Sequence, residues 1–113
     1  MRTPKITIDL RKIEHNTRII YQMCSKHNIA LAGVTKGTLG MPEVAEAMIR
    51  GGATYLAESR LANIERLKLN GIKVPIILIR SPHLSEIERV VELADVSFNT
   101  EFEVIKALSE ASI

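Results

Sequence analysis

Apolar residues recur along the chain in short blocks that change period. Lys5 to Asp9 alternates, with Ile6 and Ile8 on one side, and this predicts a short strand. Asp9 then caps a helix over residues 10–27. Leu10, Ile13, Ile20 and Cys24 share one stripe of that helix, with Thr17 between them. His15 lies off the stripe, on the solvated face, and Cys24 lies on it as a packing residue. Ile29 to Thr35 is an apolar run of strand length, followed at once by Lys36 and Gly37. Pro42 suits the first turn of the next helix. Val44, Ala45, Ala47 and Met48 give that helix its inner face, and Gly51-Gly52 ends it.

The same alternation of elements continues. Thr54 to Ala57 predicts a brief strand closing at Glu58-Ser59-Arg60. A helix follows, with Leu61, Ile64 and Leu67 inward, and stops at Asn70-Gly71. Val74 to Ile79 is nearly all apolar, as a strand covered on both faces must be, and Pro75 belongs near its start. Ser85 and Glu88 predict a capping box, with Ile87, Val90, Val91 and Ala94 behind it. Val96 to Phe98 predicts another strand. Thr100 and Glu103 predict a second capping box, and Phe102, Ile105 and Leu108 the apolar face of the last helix.

The strands after the first helix thus end at Lys36, Glu58, Arg80 and Asn99, separated by 22, 22 and 19 residues. A near-constant short period of strand and helix is the sign of βα repeats. Right-handed crossovers bring all four polar ends to one edge of a parallel sheet. Four such units make half of an eight-stranded TIM-type barrel. The expected fold is therefore α/β: the first half of a (β/α)8 barrel, preceded by a short strand and a helix. An open half barrel leaves two parallel edges and an unfilled interior. The final helix also carries no stop signal. The chain is therefore expected to be a fragment of a longer protein, or to pair with another copy.

Composition narrows the class. Aromatics are only 4%, so aliphatic side chains must fill the core. The net charge of +2 is small and the basic residues are scattered, which argues against nucleic acid. One cysteine excludes an internal disulfide and fits a reducing, cytoplasmic setting. No apolar stretch reaches the roughly 20 residues that span a bilayer. No spacing of His, Cys, Asp and Glu suggests a metal site, and no Walker or dinucleotide glycine loop occurs.

Lys36 is the first candidate for chemistry. It rises from apolar surroundings at the C-terminal end of a strand, where α/β sheets bind ligands. Lysine so placed is the residue type that forms Schiff bases. Arg60, Arg80 and Asn99 stand at the same edge. Each has a structural reading too: Arg60 paired with Glu58, and Arg80 and Asn99 holding loops. His83, after Pro82, reads as solvated.

Several segments together resemble a known family. They are Pro4-Lys-Ile-Thr-Ile-Asp-Leu10, Asn16, Gly33-Val-Thr-Lys36, Glu58-Ser-Arg-Leu-Ala-Asn63, Leu78-Ile-Arg80 with Pro82, and Asp95-Val-Ser-Phe-Asn-Thr-Glu101. In this order they resemble the N-terminal part of the alanine/ornithine racemases, pyridoxal-phosphate barrel enzymes of fold type III, and most of all the ornithine racemase-like members.

The resemblance implies an isomerase of amino-acid metabolism that uses pyridoxal 5'-phosphate. It implies that Lys36 forms the internal aldimine and acts as one of two acid/base groups at the substrate Cα. The functional reading of Arg60, Arg80 and Asn99 puts them around the barrel mouth, near cofactor or substrate, with Arg80 and Asn99 as cofactor-binding candidates. The resemblance also implies a homodimer in which a partner subunit supplies the second group, and a C-terminal β domain that residues 1–113 lack. The segment alone would then be inactive. Alanine racemases carry a tyrosine shortly after the lysine. Here Lys36-Gly-Thr-Leu-Gly40 has none, so the amino acid stays open. Two alternatives stand beside this: a pyridoxal-phosphate homeostasis protein, and a small non-catalytic α/β interaction module. The expected strand over Lys5 to Asp9 speaks against the first. Lys36 and Arg80, where a receiver-like module needs acids, speak against the second.

Overall fold

The computed structural model describes residues 3–113. Helix α1 spans Leu10–Ser25, and strand β1 spans Ala32–Val34. They are followed by α2 (Pro42–Gly51), β2 (Tyr55–Glu58), α3 (Leu61–Leu69) and β3 (Ile76–Leu78). Helix α4 (Ile87–Leu93), β4 (Val96–Ser97) and α5 (Phe102–Ala111) complete the order. The four strands form one parallel sheet in the order β1-β2-β3-β4. This is the arrangement that the spacing of strand ends required.

Register separates the two faces. Gly33, Leu56 and Ile76 lie side by side, as do Glu58, Leu78 and Ser97. Helices α2, α3 and α4 cover this face with Ala45, Leu61, Ile64, Leu67, Val90 and Leu93 around Leu56, Ile76 and Leu78. The opposite face presents Val34, Tyr55, Ile77 and Val96, and no helix of the described residues covers it. Val34 and Val96 stay 45% and 44% exposed there. An apolar face left this open marks a contact surface.

Local signals set most element ends. Asp9 Oδ1 accepts hydrogen bonds from the backbone N–H of Arg11 (3.0 Å) and Lys12 (3.2 Å), so the expected cap forms. Pro42 opens α2, and Gly52 closes it at φ 121°. Helices α1 and α2 meet at Gly51, where Glu14 bonds Arg50 Nε (2.7 Å) and Arg18 Nη2 (3.3 Å). The hydrogen bond from Arg50 holds the Glu14 carboxyl below the ordinary carboxylate range. A Cβ on Gly51 would stand 2.6 Å from Thr17 Cβ and 2.7 Å from the Glu14 carbonyl oxygen. Backbone cannot yield cheaply, so Gly51→Ala is expected to destabilise by about 1–3 kcal/mol. Urea denaturation checks this; an unchanged midpoint would contradict the close approach.

Other expectations are corrected. Residues 3–9 form no strand: Ile6 is 89% exposed, and no ladder partner reaches it. Helix α1 ends at Ser25 rather than residue 27, and Ile20 faces out, because α1 turns Glu14, Thr17 and Tyr21 toward Gly51-Gly52 instead. The Ser85/Glu88 box is replaced by Glu86, whose Oε1 accepts from His83 N (2.9 Å) ahead of a 3-10 turn over Leu84–Glu86. The Thr100/Glu103 box does not form; α5 begins after Glu101 without a side-chain cap. Helix α5 buries Val104 and part of Leu108, while Phe102 and Ile105 remain exposed.

Candidate active site

The polar strand ends gather at one rim because the strands are parallel and in sequential order. Lys36 leaves β1 on a 3-10 turn over Lys36–Thr38. Its side chain is exposed and makes no salt bridge among the described residues. The amine is therefore accessible at the rim.

The turn beneath Lys36 is tightly held. The Thr35 carbonyl accepts from Thr38 N, Gly40 N and Thr38 Oγ1, each at 3.1 Å. Leu39 follows in the left-handed region at φ 55°, an uncommon conformation for leucine. Its carbonyl accepts from Arg66 Nη1 at 2.8 Å. Gly40, at φ 66°, passes so close to α3 that a Cβ would meet Asn63 Cβ at 2.7 Å. Strain of this kind persists only where the surroundings over-determine it, and it clusters at functional sites.

Behind the turn lies a buried polar cluster. Thr35 and Glu58 are both fully buried. Glu58 Oε2 accepts from Thr35 Oγ1 at 2.8 Å. Oε1 accepts from Ser59 N (2.8 Å), Asn63 Nδ2 (3.2 Å) and Arg60 N (3.4 Å). The carboxyl thus joins the exits of β1 and β2 to the first turn of α3. The expected Arg60–Glu58 ion pair is absent among the described residues: only the Arg60 backbone reaches Glu58, and its side chain points to solvent.

Arg80 reaches across to the neighbouring loop. Its Nε donates to the Ser59 carbonyl (2.9 Å), and Nη2 pairs with Glu86 Oε2 (3.3 Å). The bond from the His83 N–H, and then the charge of Arg80, hold the Glu86 carboxyl below its ordinary range. A lowered folded value means that its stabilising share is complete above 4.5, the unperturbed value, and is lost as pH falls through the folded one. Glu86→Gln should therefore flatten the acid limb of a thermal-midpoint titration below the unperturbed value of 4.5. Parallel limbs in the two proteins would contradict it.

Asn99 Nδ2 donates to Ser97 O (3.1 Å) and Ser97 Oγ (3.0 Å). Its Oδ1 is enclosed and has no partner among the described residues. Asn99 borders an open groove of about 480 Å³ beside β4, with Val96, Ile105 and Leu108. Lys36 lies at the other edge of the sheet, three strand spacings of about 4.8 Å away. The rim therefore collects Lys36, Arg80 and Asn99 without bringing them into contact. His83 is exposed in its loop.

Sequence reasoning missed Thr35 and Asn63 as parts of the site. A signal was present: Thr35 and Glu58, 23 residues apart, are polar residues that close successive apolar runs and so fall on neighbouring strands.

A family model for the alanine racemase N-terminal domain matches residues 8–112. The chain is 38% identical over 109 residues to a lysine racemase of Thermotoga maritima and 36% identical over 109 residues to an ornithine racemase of Acetoanaerobium sticklandii. Each match covers 96% of this chain but only 31% and 30% of those proteins, so the chain spans about a third of their length. Among solved structures, an alanine racemase from E. faecalis aligns with TM-score 0.77 and 23% identity, over 91% of this chain and 28% of that one. A D-threonine aldolase from Filomicrobium marinum aligns with TM-score 0.80 and 21% identity, over 97% and 31%. These two likenesses concern the fold. The matched family model and the two racemase relatives close the question of kinship: the chain belongs to the alanine racemase N-terminal domain family.

Proposed function

We propose that this chain is the lysine-bearing part of a pyridoxal-phosphate-dependent racemase that acts on a basic amino acid of the ornithine or lysine type. The observation that carries the reading is the free Lys36 amine on a clamped turn at the C-terminal rim of a parallel sheet. The substrate class rests on the lysine and ornithine racemase relatives.

The residues present fit the aldehyde end of the cofactor. Lys36 offers an exposed, unpaired amine among the described residues, and its backbone is fixed by the Thr35 carbonyl. Asn99 Oδ1 needs a donor, so it suits a hydroxyl or ammonium rather than a phosphate. Arg80 offers positive charge while its Nε is held by Ser59. When bound, pyridoxal phosphate delocalises the negative charge left by loss of the Cα proton.

Lys36 has two tasks in this reading. It would hold the cofactor, and its amine would move the proton at one face of the substrate Cα. Inversion needs a second acid/base on the opposite face. We assign that group to a homodimer partner. Residues 1–113 alone are then inactive.

The homeostasis alternative loses one argument against it, since Lys5 to Asp9 forms no strand. The racemase relatives carry the choice instead. Family membership sets the interaction module aside. The test is exchange: the full-length protein with pyridoxal phosphate and L-ornithine or L-lysine in heavy water. Deuterium at Cα together with the D-enantiomer is expected. Bound cofactor without exchange would favour the carrier reading.

A further inference from the structure

We propose that Glu58 is a positioning residue for Lys36: through Thr35 it fixes the exit of β1, and with it the direction in which the Lys36 amine leaves the rim. This rests on the assignment of Lys36 as the covalent attachment point.

Glu58 is fully buried, yet no cation lies within salt-bridge reach among the described residues. Its oxygens accept only from neutral groups: the Thr35 and Ser59 hydroxyls, two backbone N–H groups and the Asn63 amide. Burying a carboxyl is costly, and a well-packed apolar residue commonly serves stability as well or better. What an apolar residue cannot supply is direction. Glu58 fixes Thr35 at φ −105°, ψ 2°, outside the extended region, so strand alternation ends one residue before Lys36. The same carboxyl holds Asn63, against which Gly40 closes the far end of the Lys36 turn. Both ends of the segment that carries the amine thus depend on one buried group.

The two oxygens have separate duties, and this gives a conservative control. Oε1 takes four donors, the Ser59 hydroxyl at 3.5 Å being the longest, whereas Oε2 takes only the Thr35 hydroxyl. Glu58→Gln can keep its oxygen toward those donors and turn its NH2 to Thr35 Oγ1, which accepts as readily as it donates. Glu58→Ala removes every contact. Thr35→Val keeps the shape and removes the hydroxyl's bond to Glu58 together with its long contact to the Ala57 carbonyl (3.5 Å).

The readout is the rate at which pyridoxal phosphate attaches to Lys36 in the full-length protein. The amine condenses with the aldehyde and one water leaves. Borohydride then reduces the carbon–nitrogen double bond to a secondary amine, which peptide mass spectrometry locates. Rates are expressed per folded molecule, with the folded fraction taken from circular dichroism. Glu58→Gln should attach within about threefold of wild type. Thr35→Val, and Glu58→Ala where it folds, should be slower by on the order of 10- to 100-fold, as loss of orientation commonly costs. If Thr35→Val attaches at the wild-type rate, Glu58 holds structure alone and this inference falls while Lys36 keeps its role. If wild type itself gives no adduct on Lys36, the assignment of Lys36 falls first and this one with it.

Discussion

Lys36→Ala in the full-length protein is expected to lose bound cofactor and to lose turnover by roughly 10²- to 10⁴-fold from the proton-transfer task alone. Stability should hardly change. Lys36 is exposed and forms no ion pair among the described residues, so its removal should shift unfolding by no more than about 0.5 kcal/mol. The contrast is the informative part, because a residue that merely supports the rim would lower activity and stability together. Lys36→Arg sharpens the point. It keeps a positive charge at the same place, but a guanidinium stays protonated and does not condense with an aldehyde. Chiral chromatography with each variant measures the loss. Turnover in Lys36→Arg near the wild-type level would mean that charge, not nucleophilicity, is what this position supplies.

The second large effect falls on the core that carries the rim. Leu56 is fully buried at the middle of β2, paired with Gly33 on one side and Ile76 on the other. Ile64 and Leu67 of α3 belong to the same buried cluster. Central strands flanked on both sides relax poorly, so the space left by Leu56→Ala stays open. A loss of about 2–5 kcal/mol is expected. Leu69→Ala, at a side chain 79% exposed, should stay within about 0.5 kcal/mol. Urea denaturation followed by circular dichroism compares the two. A change below about 1 kcal/mol for Leu56→Ala would mean that the sheet is not the stable frame of the rim.

Much of this frame is legible in the amino-acid sequence. Runs such as Val74 to Ile79 stand out because both faces of the sheet are apolar, although helices cover only one of them among the described residues, and the polar residues that close the runs mark the rim. That is why spacing alone places Lys36, Glu58, Arg80 and Asn99 at one edge. What failed depended on partners that no local pattern contains. The alternation of Ile6 and Ile8 suits a strand, but a strand exists only when another pairs with it. Helix α5 carries Phe102, Val104, Ile105 and Leu108 on more than one side, so its period could not choose the buried stripe. The two capping boxes failed because the preceding loops decide where a helix begins. His83 enters a 3-10 turn that puts Glu86 rather than Glu88 in reach, and extended Glu101 displaces Thr100 from the cap.

The site divides along the same line. A lysine closing an apolar run can be read from sequence. The bonds that hold its turn cannot, because they join residues far apart in the chain. Thr35 meets Glu58 across 23 positions of sequence, and the Leu39 carbonyl meets Arg66 across 27. The rim's chemistry is thus written locally, while its geometry is written in the register of β1 against β2.

The role of Lys36 comes down to a single observation. The full-length protein is incubated with pyridoxal phosphate, reduced with borohydride and digested, and every lysine is surveyed by mass spectrometry. The account predicts a stoichiometric pyridoxyl group on Lys36 and on no other lysine. An adduct centred on a different lysine, or none at all on a folded protein, would contradict it.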